Sequence, residues 1–111
     1  MKVYISIPIS GRPLNEAREE ADRIAESLSR QGHTPVNPFN IYAGHRPTYE
    51  DYLAADLRAL MGCDAICLAP GWQNSTGCRI EYAVAKELGM RRKAQGQSAY
   101  KFIHLQEYIN L

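Results

Sequence analysis

Two acidic residues stand where a helix should present hydrocarbon. Glu81 shares a helical face with Cys78 three residues before it, Ala85 four residues after and Leu88 seven residues after. Asp56 repeats the anomaly on another helix, between Leu53 at i−3 and Leu60 at i+4. A carboxylate on such a stripe faces inward. Burying it unpaired costs several kcal/mol or forces its pKa to shift, so each needs a partner or a task. Two acids meeting at a dry site can divide one reaction between them: one stays ionised as a nucleophile while the other donates a proton or orients the leaving group. The plainer alternatives are a Glu81 paired with Arg79 or solvent, and an Asp56 paired with Arg58 or a backbone group at the helix margin.

Other residues are candidates by type and position. Tyr4 can place its hydroxyl against a carboxylate or sit in the core with that hydroxyl satisfied. Ser75, Thr76 and Gly77 open a helix, so free backbone N–H groups and the positive end of the dipole can hold a phosphate or a sugar hydroxyl; an ordinary N-cap is the other reading. Trp72 suits stacking on a nucleobase or anchoring an interface. Arg12, Arg46 and Arg79 can each meet a phosphate or stay solvated. Ser6, Pro8, Ser10 and Gly11, at the end of the first strand and in the PISGRP loop, complete the set of substrate contacts with Trp72, Ser75 and Gly77.

The elements that must position these residues alternate. Val3 to Ile7 reads as a strand, broken by Pro8, Gly11 and Pro13. Leu14, Ala17, Ala21, Ile24, Ala25 and Leu28 recur at helical spacing opposite a charged face, and Gly32 ends that helix. His33 to Val36 reads as a second strand stopped by Asn37-Pro38, and Phe39 to Pro47 as loop. Thr48 and Asp51 form a near capping box before a helix with Leu53, Leu57, Leu60 and Met61 inward, ending near Gly62. Asp64 to Leu68 reads as a central strand buried on both faces. Ala69 to Gly77 is a loop, followed by a helix to Gly89; Arg91 to Ser98 is a solvated connector, and Tyr100 to Leu105 a fourth strand.

This order implies a three-layer, Rossmann-like α/β domain over residues 1–111, with a mostly parallel sheet of order 2-1-3-4. Ligands in such a sheet bind beyond the carboxyl ends of the strands at the switch point, here between strands one and three. The loops meeting there are Pro8 to Pro13 and Ala69 to Gly77.

Composition narrows the function further. With 111 residues and 45% hydrophobic content, one modest core is expected, and homo-oligomerisation is a way to deepen a shallow site. The balance of 13 Lys and Arg against 12 Asp and Glu offers no field for polymeric nucleic acid or a membrane surface. No export signal or membrane span is read, so a cytoplasmic protein is expected. Cys63, Cys67 and Cys78 lack CxxC spacing, and His33, His45 and His104 are scattered. Free buried thiols are expected, with no metal and no cofactor.

The segments MKVYISIPISGRP, VNPFN, TYEDYLAADLRAL and CDAICLAPGWQNSTGCRIEYAVAKELG resemble the nucleoside 2-deoxyribosyltransferase-like superfamily, more narrowly its small bacterial and phage branch. The likeness runs from Met1 to Gly89, and the pattern S-x-G-x-x-x-E, here Ser75, Gly77 and Glu81, carries it. The resemblance implies a flavodoxin-type fold in which Glu81 attacks the anomeric carbon of a sugar. Asp56 then assists at the base or sugar, and Tyr4 orients the nucleophile. In the related 2'-deoxynucleoside 5'-phosphate N-hydrolases, the positions matching Ser75 and Gly77 receive the 5'-phosphate. Ile7-Pro8 departs from the Gly-containing turn common in relatives and narrows that approach. Two functions are expected from this: cleavage or exchange of the base of a small nucleoside or nucleotide, or binding of such a ligand without turnover.

Overall fold

The structure is a computed structural model and describes residues 1–105. Strands β1 (Lys2–Ser6), β2 (Thr34–Val36), β3 (Ala65–Leu68) and β4 (Lys101–His104) form a parallel sheet in the order β2-β1-β3-β4. Between them lie α1 (Leu14–Arg30), α2 (Tyr49–Met61) and α3 (Thr76–Ala94), with short 3-10 turns at Pro38–Asn40 and Trp72–Asn74. This is the expected three-layer α/β architecture.

The twofold alternation of β1 decides which side chains reach the chemistry. Val3, Ile5 and Ile7 pack with Ala65 and Cys67 of β3 against Ala21, Ile24 and Leu28 of α1. Tyr4 points the other way, joining Ile66 and Leu68 beneath Leu60 of α2 and Ala85 of α3. Ser6 therefore shares the face of Tyr4, toward α3. Each large apolar side chain so buried contributes roughly 1.5–3 kcal/mol, which fixes β1 and β3 as the rigid floor of the molecule.

The helix ends follow local chemistry. Thr48 and Asp51 close a reciprocal capping box on α2: the Asp51 N–H donates to Thr48 Oγ1 and the Thr48 N–H to Asp51 Oδ2. At the end of α1, Gly32 adopts φ 88°, and the N–H groups of Gly32 and His33 reach back to the carbonyls of Ser29 and Leu28.

Helix α3 corrects the expected boundary. It runs through Gly89 to Ala94, taking in part of the segment read as a connector, and stops where Gly96 adopts φ 77° and Gln97 N–H bonds the Arg92 carbonyl. Gly89 serves a different need: a Cβ there would meet Tyr100 Cβ at 3.1 Å and Tyr100 N at 3.2 Å. The chain entering β4 packs directly on the helix backbone. Tyr100 locks that contact by donating its hydroxyl to the Leu60 carbonyl at 2.7 Å.

Two apolar stripes are also less buried than their spacing suggests. On α2 only Leu60 is buried, whereas Met61 is exposed and Leu53 and Leu57 are partly covered. Leu14, at the start of α1, is exposed on the rim of a cavity. The stretch read as a plain loop from Phe39 begins inside a 3-10 turn, capped by the Asn37 side chain accepting from Phe39 N–H at 3.0 Å.

Cys63, Cys67 and Cys78 are free and buried. Burial pushes the Cys63 thiol up to about 11 and the Cys67 thiol up to about 12, far from a reactive thiolate. Among the described residues no helix is long and apolar enough to cross a membrane.

Candidate active site

Glu81 is buried on the inner face of α3, and both of its oxygens are held by hydroxyls from β1. The Tyr4 hydroxyl donates to Oε2 at 2.6 Å, and the Ser6 hydroxyl donates to Oε1 at 2.7 Å. These are short bonds of the kind hydroxyls make to an ionised carboxylate. The i, i+2 spacing on a strand places the two donors side by side, which is why one acid can engage both. Arg79, the surface partner considered from sequence, is held elsewhere. Its guanidinium donates to the Gln73 carbonyl at 2.9 Å and to Thr76 Oγ1 at 3.2 Å.

Asp56 and Glu81 line the same cavity, of about 400 Å³, together with Tyr4. Burial pushes Glu81 up to about 7; nearby Asp56 adds to the rise, while the hydroxyls of Tyr4 and Ser6 work against it. Burial likewise pushes Asp56 up to about 6, with the Tyr4 hydroxyl partly offsetting it. The Tyr4 phenol is driven well above its usual range, first by burial and then by the negative charge of Glu81 and Asp56. Tyr4 therefore stays protonated as a hydrogen-bond donor. Two acids poised near neutrality in one cleft, joined through a phenol, form an arrangement that can hold one proton and one negative charge together.

The N-terminus of α3 forms one end of the cavity, through Ser75 and Gly77. Ser75 is the N-cap, its hydroxyl accepting from the Cys78 N–H at 3.3 Å. The cap and the cavity wall are thus the same residue. At Gly77 a Cβ would stand 3.5 Å from the Tyr49 hydroxyl oxygen of α2, an ordinary contact distance that shows how closely the two helices meet at this end of the cavity.

Of the residues singled out from sequence, Tyr4, Ser10, Asp56, Ser75, Gly77 and Glu81 line the cavity. Ser6 lies behind them as a fully buried support for Glu81. Pro8, Gly11 and Trp72 are not in the wall. The Pro8 carbonyl accepts from Arg12 Nη1 at 3.2 Å, and the same nitrogen pairs with Glu20 at 2.9 Å, tying down the loop after β1. Gly11 is exposed at φ 81°. Trp72 is partly buried in its 3-10 turn rather than free in a loop, and its ring stacks on Tyr82 with centroids 4.7 Å apart.

Sequence reasoning missed much of the opposite wall. Arg18 of α1, Phe39 after β2, and Tyr49 and Tyr52 of α2 all line the cavity, which reaches past the β1–β3 switch point toward the end of β2. The available signal was spacing. Tyr49 and Tyr52 lie seven and four residues before Asp56 and so share its helical face; Arg18 carries no such signal, since Leu14, four residues before it, belongs by spacing to the core stripe.

A family model described as a domain of unknown function, DUF4406, matches residues 1–93. The chain belongs to the DUF4406 family. That family is a member of the nucleoside 2-deoxyribosyltransferase-like superfamily, in agreement with the resemblance carried by Ser75, Gly77 and Glu81. No curated protein matches the chain. Among solved structures, this DUF4406 protein is similar to the CMP N-glycosidase BcmB of Clostridium botulinum. The TM-score is 0.54 at 18% identity, covering 96% of this chain and 90% of that one. It is also similar to BlsM, with a TM-score of 0.55 at 19% identity, covering 96% of this chain and 81% of that one. At these identities the likeness is one of fold, and it extends beyond the residues matched by the DUF4406 model.

Proposed function

We propose that the protein cleaves or exchanges the N-glycosidic bond of a small nucleoside or nucleoside 5'-monophosphate by a retaining mechanism. The observation that carries this reading is the Glu81 carboxylate, fixed at both oxygens by Tyr4 and Ser6 inside a cavity that Asp56 also enters. The fold likeness to a protein named as a CMP N-glycosidase supports the same chemistry.

In the first step a Glu81 oxygen attacks C1' of the sugar. The C1'–N bond breaks, and its electron pair leaves with the base. Asp56 donates a proton to the departing base or orients it. Each Glu81 oxygen keeps a lone pair beyond the one its hydroxyl partner occupies, so the bonds from Tyr4 and Ser6 aim the nucleophile without blocking it. In the second step water, or a second base, attacks C1' of the glycosyl ester and gives up its proton to the Asp56 carboxylate left by the first step, while Glu81 leaves as a carboxylate. Water makes the protein a hydrolase and a base makes it a transferase; the configuration at C1' is retained in both cases.

Ser75 and Gly77 at the start of α3 receive the 5' end of the substrate, where backbone N–H groups and the helix dipole favour an anion. A volume of about 400 Å³ falls within the range of small-molecule pockets. The half-exposed Tyr49 and Tyr52 on its rim suit a site that a second copy of the chain deepens.

Base release from a panel of nucleosides and 5'-monophosphates, followed chromatographically, tests the proposal. Release by the wild type, lost in Glu81→Gln, is the expected result. Ligand binding by calorimetry with no release from any substrate would replace it with a nucleotide-sensing role.

A further inference from the structure

The mechanism leaves one charged member of the cavity wall without a task. Arg18 holds its guanidinium carbon 4.8 Å from the centroid of the Phe39 ring, and both residues line the cavity. Arg12 and Arg79 are tied to Glu20, Pro8, Gln73 and Thr76, as described above. Among the described residues Arg18 has no hydrogen bond or ion pair, so its N–H donors are available to a ligand.

We propose that Arg18, held over Phe39, is a specificity-determining residue that reads the nucleobase and favours bases bearing an oxo group over adenine. This deepens the reading under Proposed function and rests on its placement of the 5' end. The topology then sets the direction of the ligand. Ser75 and Gly77 follow β3, whereas Arg18 and Phe39 stand on the β1–β2 side, with Glu81 between them on the face of β1. A sugar over Glu81 with its 5' end at α3 extends its base toward Phe39 and Arg18.

The surroundings fit a base better than a phosphate. Ile9, which packs with Phe39 against the same core, and Leu14, one turn before Arg18 on α1, line the cavity with them and offer apolar contact. Arginine is a donor at every nitrogen and pairs best with an oxo oxygen, above all one beside a ring acceptor, as in cytosine and guanine. Adenine has no oxo oxygen and sets an amino donor beside its acceptors. The contact also strengthens as the reaction proceeds. When the C1'–N bond breaks, its electron pair passes to the base, and in an oxo base the charge spreads onto the oxygen that faces the guanidinium.

The test compares wild type with Arg18→Met and Arg18→Lys, using CMP, GMP and AMP and the matching nucleosides, for kcat/KM and for equilibrium binding. Arg18 lies on the exposed face of α1, so these variants keep the fold. Arg18→Met should lower kcat/KM for CMP and GMP by about 10- to 100-fold with little change for AMP, and Arg18→Lys should recover part of the loss. Equal losses on all three bases would overturn the proposal. So would a loss confined to the preference of monophosphate over nucleoside, which would make Arg18 a phosphate ligand. If the wild type binds nucleotides but releases no base, the glycosidase reading fails, and the CMP-to-AMP binding ratio of wild type against Arg18→Met still decides the role of Arg18.

Discussion

The Tyr4 hydroxyl donates to Glu81 Oε2 at 2.6 Å, joining the first strand to a helix 77 residues later in the chain. Tyr4 is fully buried and cannot ionise at ordinary pH, so its proton stays available to the carboxylate. This bond fixes where the acid points, and with Ser6 it keeps an otherwise dry carboxylate ionisable near neutrality.

Tyr4→Phe removes that donor while keeping the ring in the core. We expect kcat to fall by about 10- to 100-fold and the ionisation of Glu81 to move to higher pH, since a bond that favours the anion is gone. A purely structural role for Tyr4 would lower the melting temperature without moving the pH profile. Steady-state rates across pH distinguish the two.

The acid pair itself sets a pH optimum. An ionised Glu81 and a protonated Asp56 are required together, and the two groups titrate as a pair near 6 and 7. The profile of kcat/KM should be a narrow bell centred between those values, falling at low pH as the pair takes up its second proton and at high pH as it loses its last; because Glu81 holds a proton more tightly than Asp56, the productive form is the less populated of the two singly protonated states. Asp56→Asn should remove the alkaline limb and leave a single acid limb set by Glu81 alone. An alkaline limb that persists unchanged would assign it to another group.

Stability should respond to pH in the opposite sense from a salt-bridged acid. Folded Glu81 keeps its proton up to about 7, against 4.5 for the ordinary carboxyl, so between these values the native state binds more protons than the unfolded chain. This contribution is fully present below the lower value and is lost as pH rises through the upper one, a change on the order of 3 kcal/mol. Urea midpoints should therefore fall between about pH 5 and about pH 8, and Glu81→Gln should remove much of the slope. A midpoint that rises over this range in the wild type, unchanged in the variant, contradicts the account.

Gly89→Ala tests the packing that places β4. Alanine suits a helix better than glycine by about 1 kcal/mol. Here its Cβ would press on Tyr100 at 3.1 Å and 3.2 Å, and the hydroxyl bond to Leu60 limits how far Tyr100 can retreat. A net loss of about 1–2 kcal/mol by denaturant titration is expected, overpacking outweighing propensity. A gain in stability would show that this contact yields.

The division between what was readable in the sequence and what was not follows the range of the interactions. Glu81 betrayed its position because Cys78, Ala85 and Leu88 mark a single helical face, and β3 because Asp64 to Leu68 is nearly all apolar. Those signals are local. Helix α3 outran Gly89 because the reason for that glycine is Tyr100, which reaches it only through the fold. Trp72 was free to be a stacking platform until Tyr82, nearly two turns into the next helix, covered its ring. Arg18 looked like one more charge on the solvent face of α1; only the turn at Pro38–Asn40, bringing Phe39 beneath it, makes it part of a cavity. The acids and their phenol were thus legible, while the wall that would select a substrate was not.

The central claim is that Glu81 becomes covalently attached to the sugar, and mass spectrometry addresses it most directly. Wild-type protein is incubated with a substrate from the panel that releases base, quenched in acid within one turnover and digested. The peptide containing Glu81 should carry the mass of the glycosyl group, and the same peptide from Glu81→Gln should carry none. Base release with no adduct on that peptide, and with inversion at C1', would contradict the account.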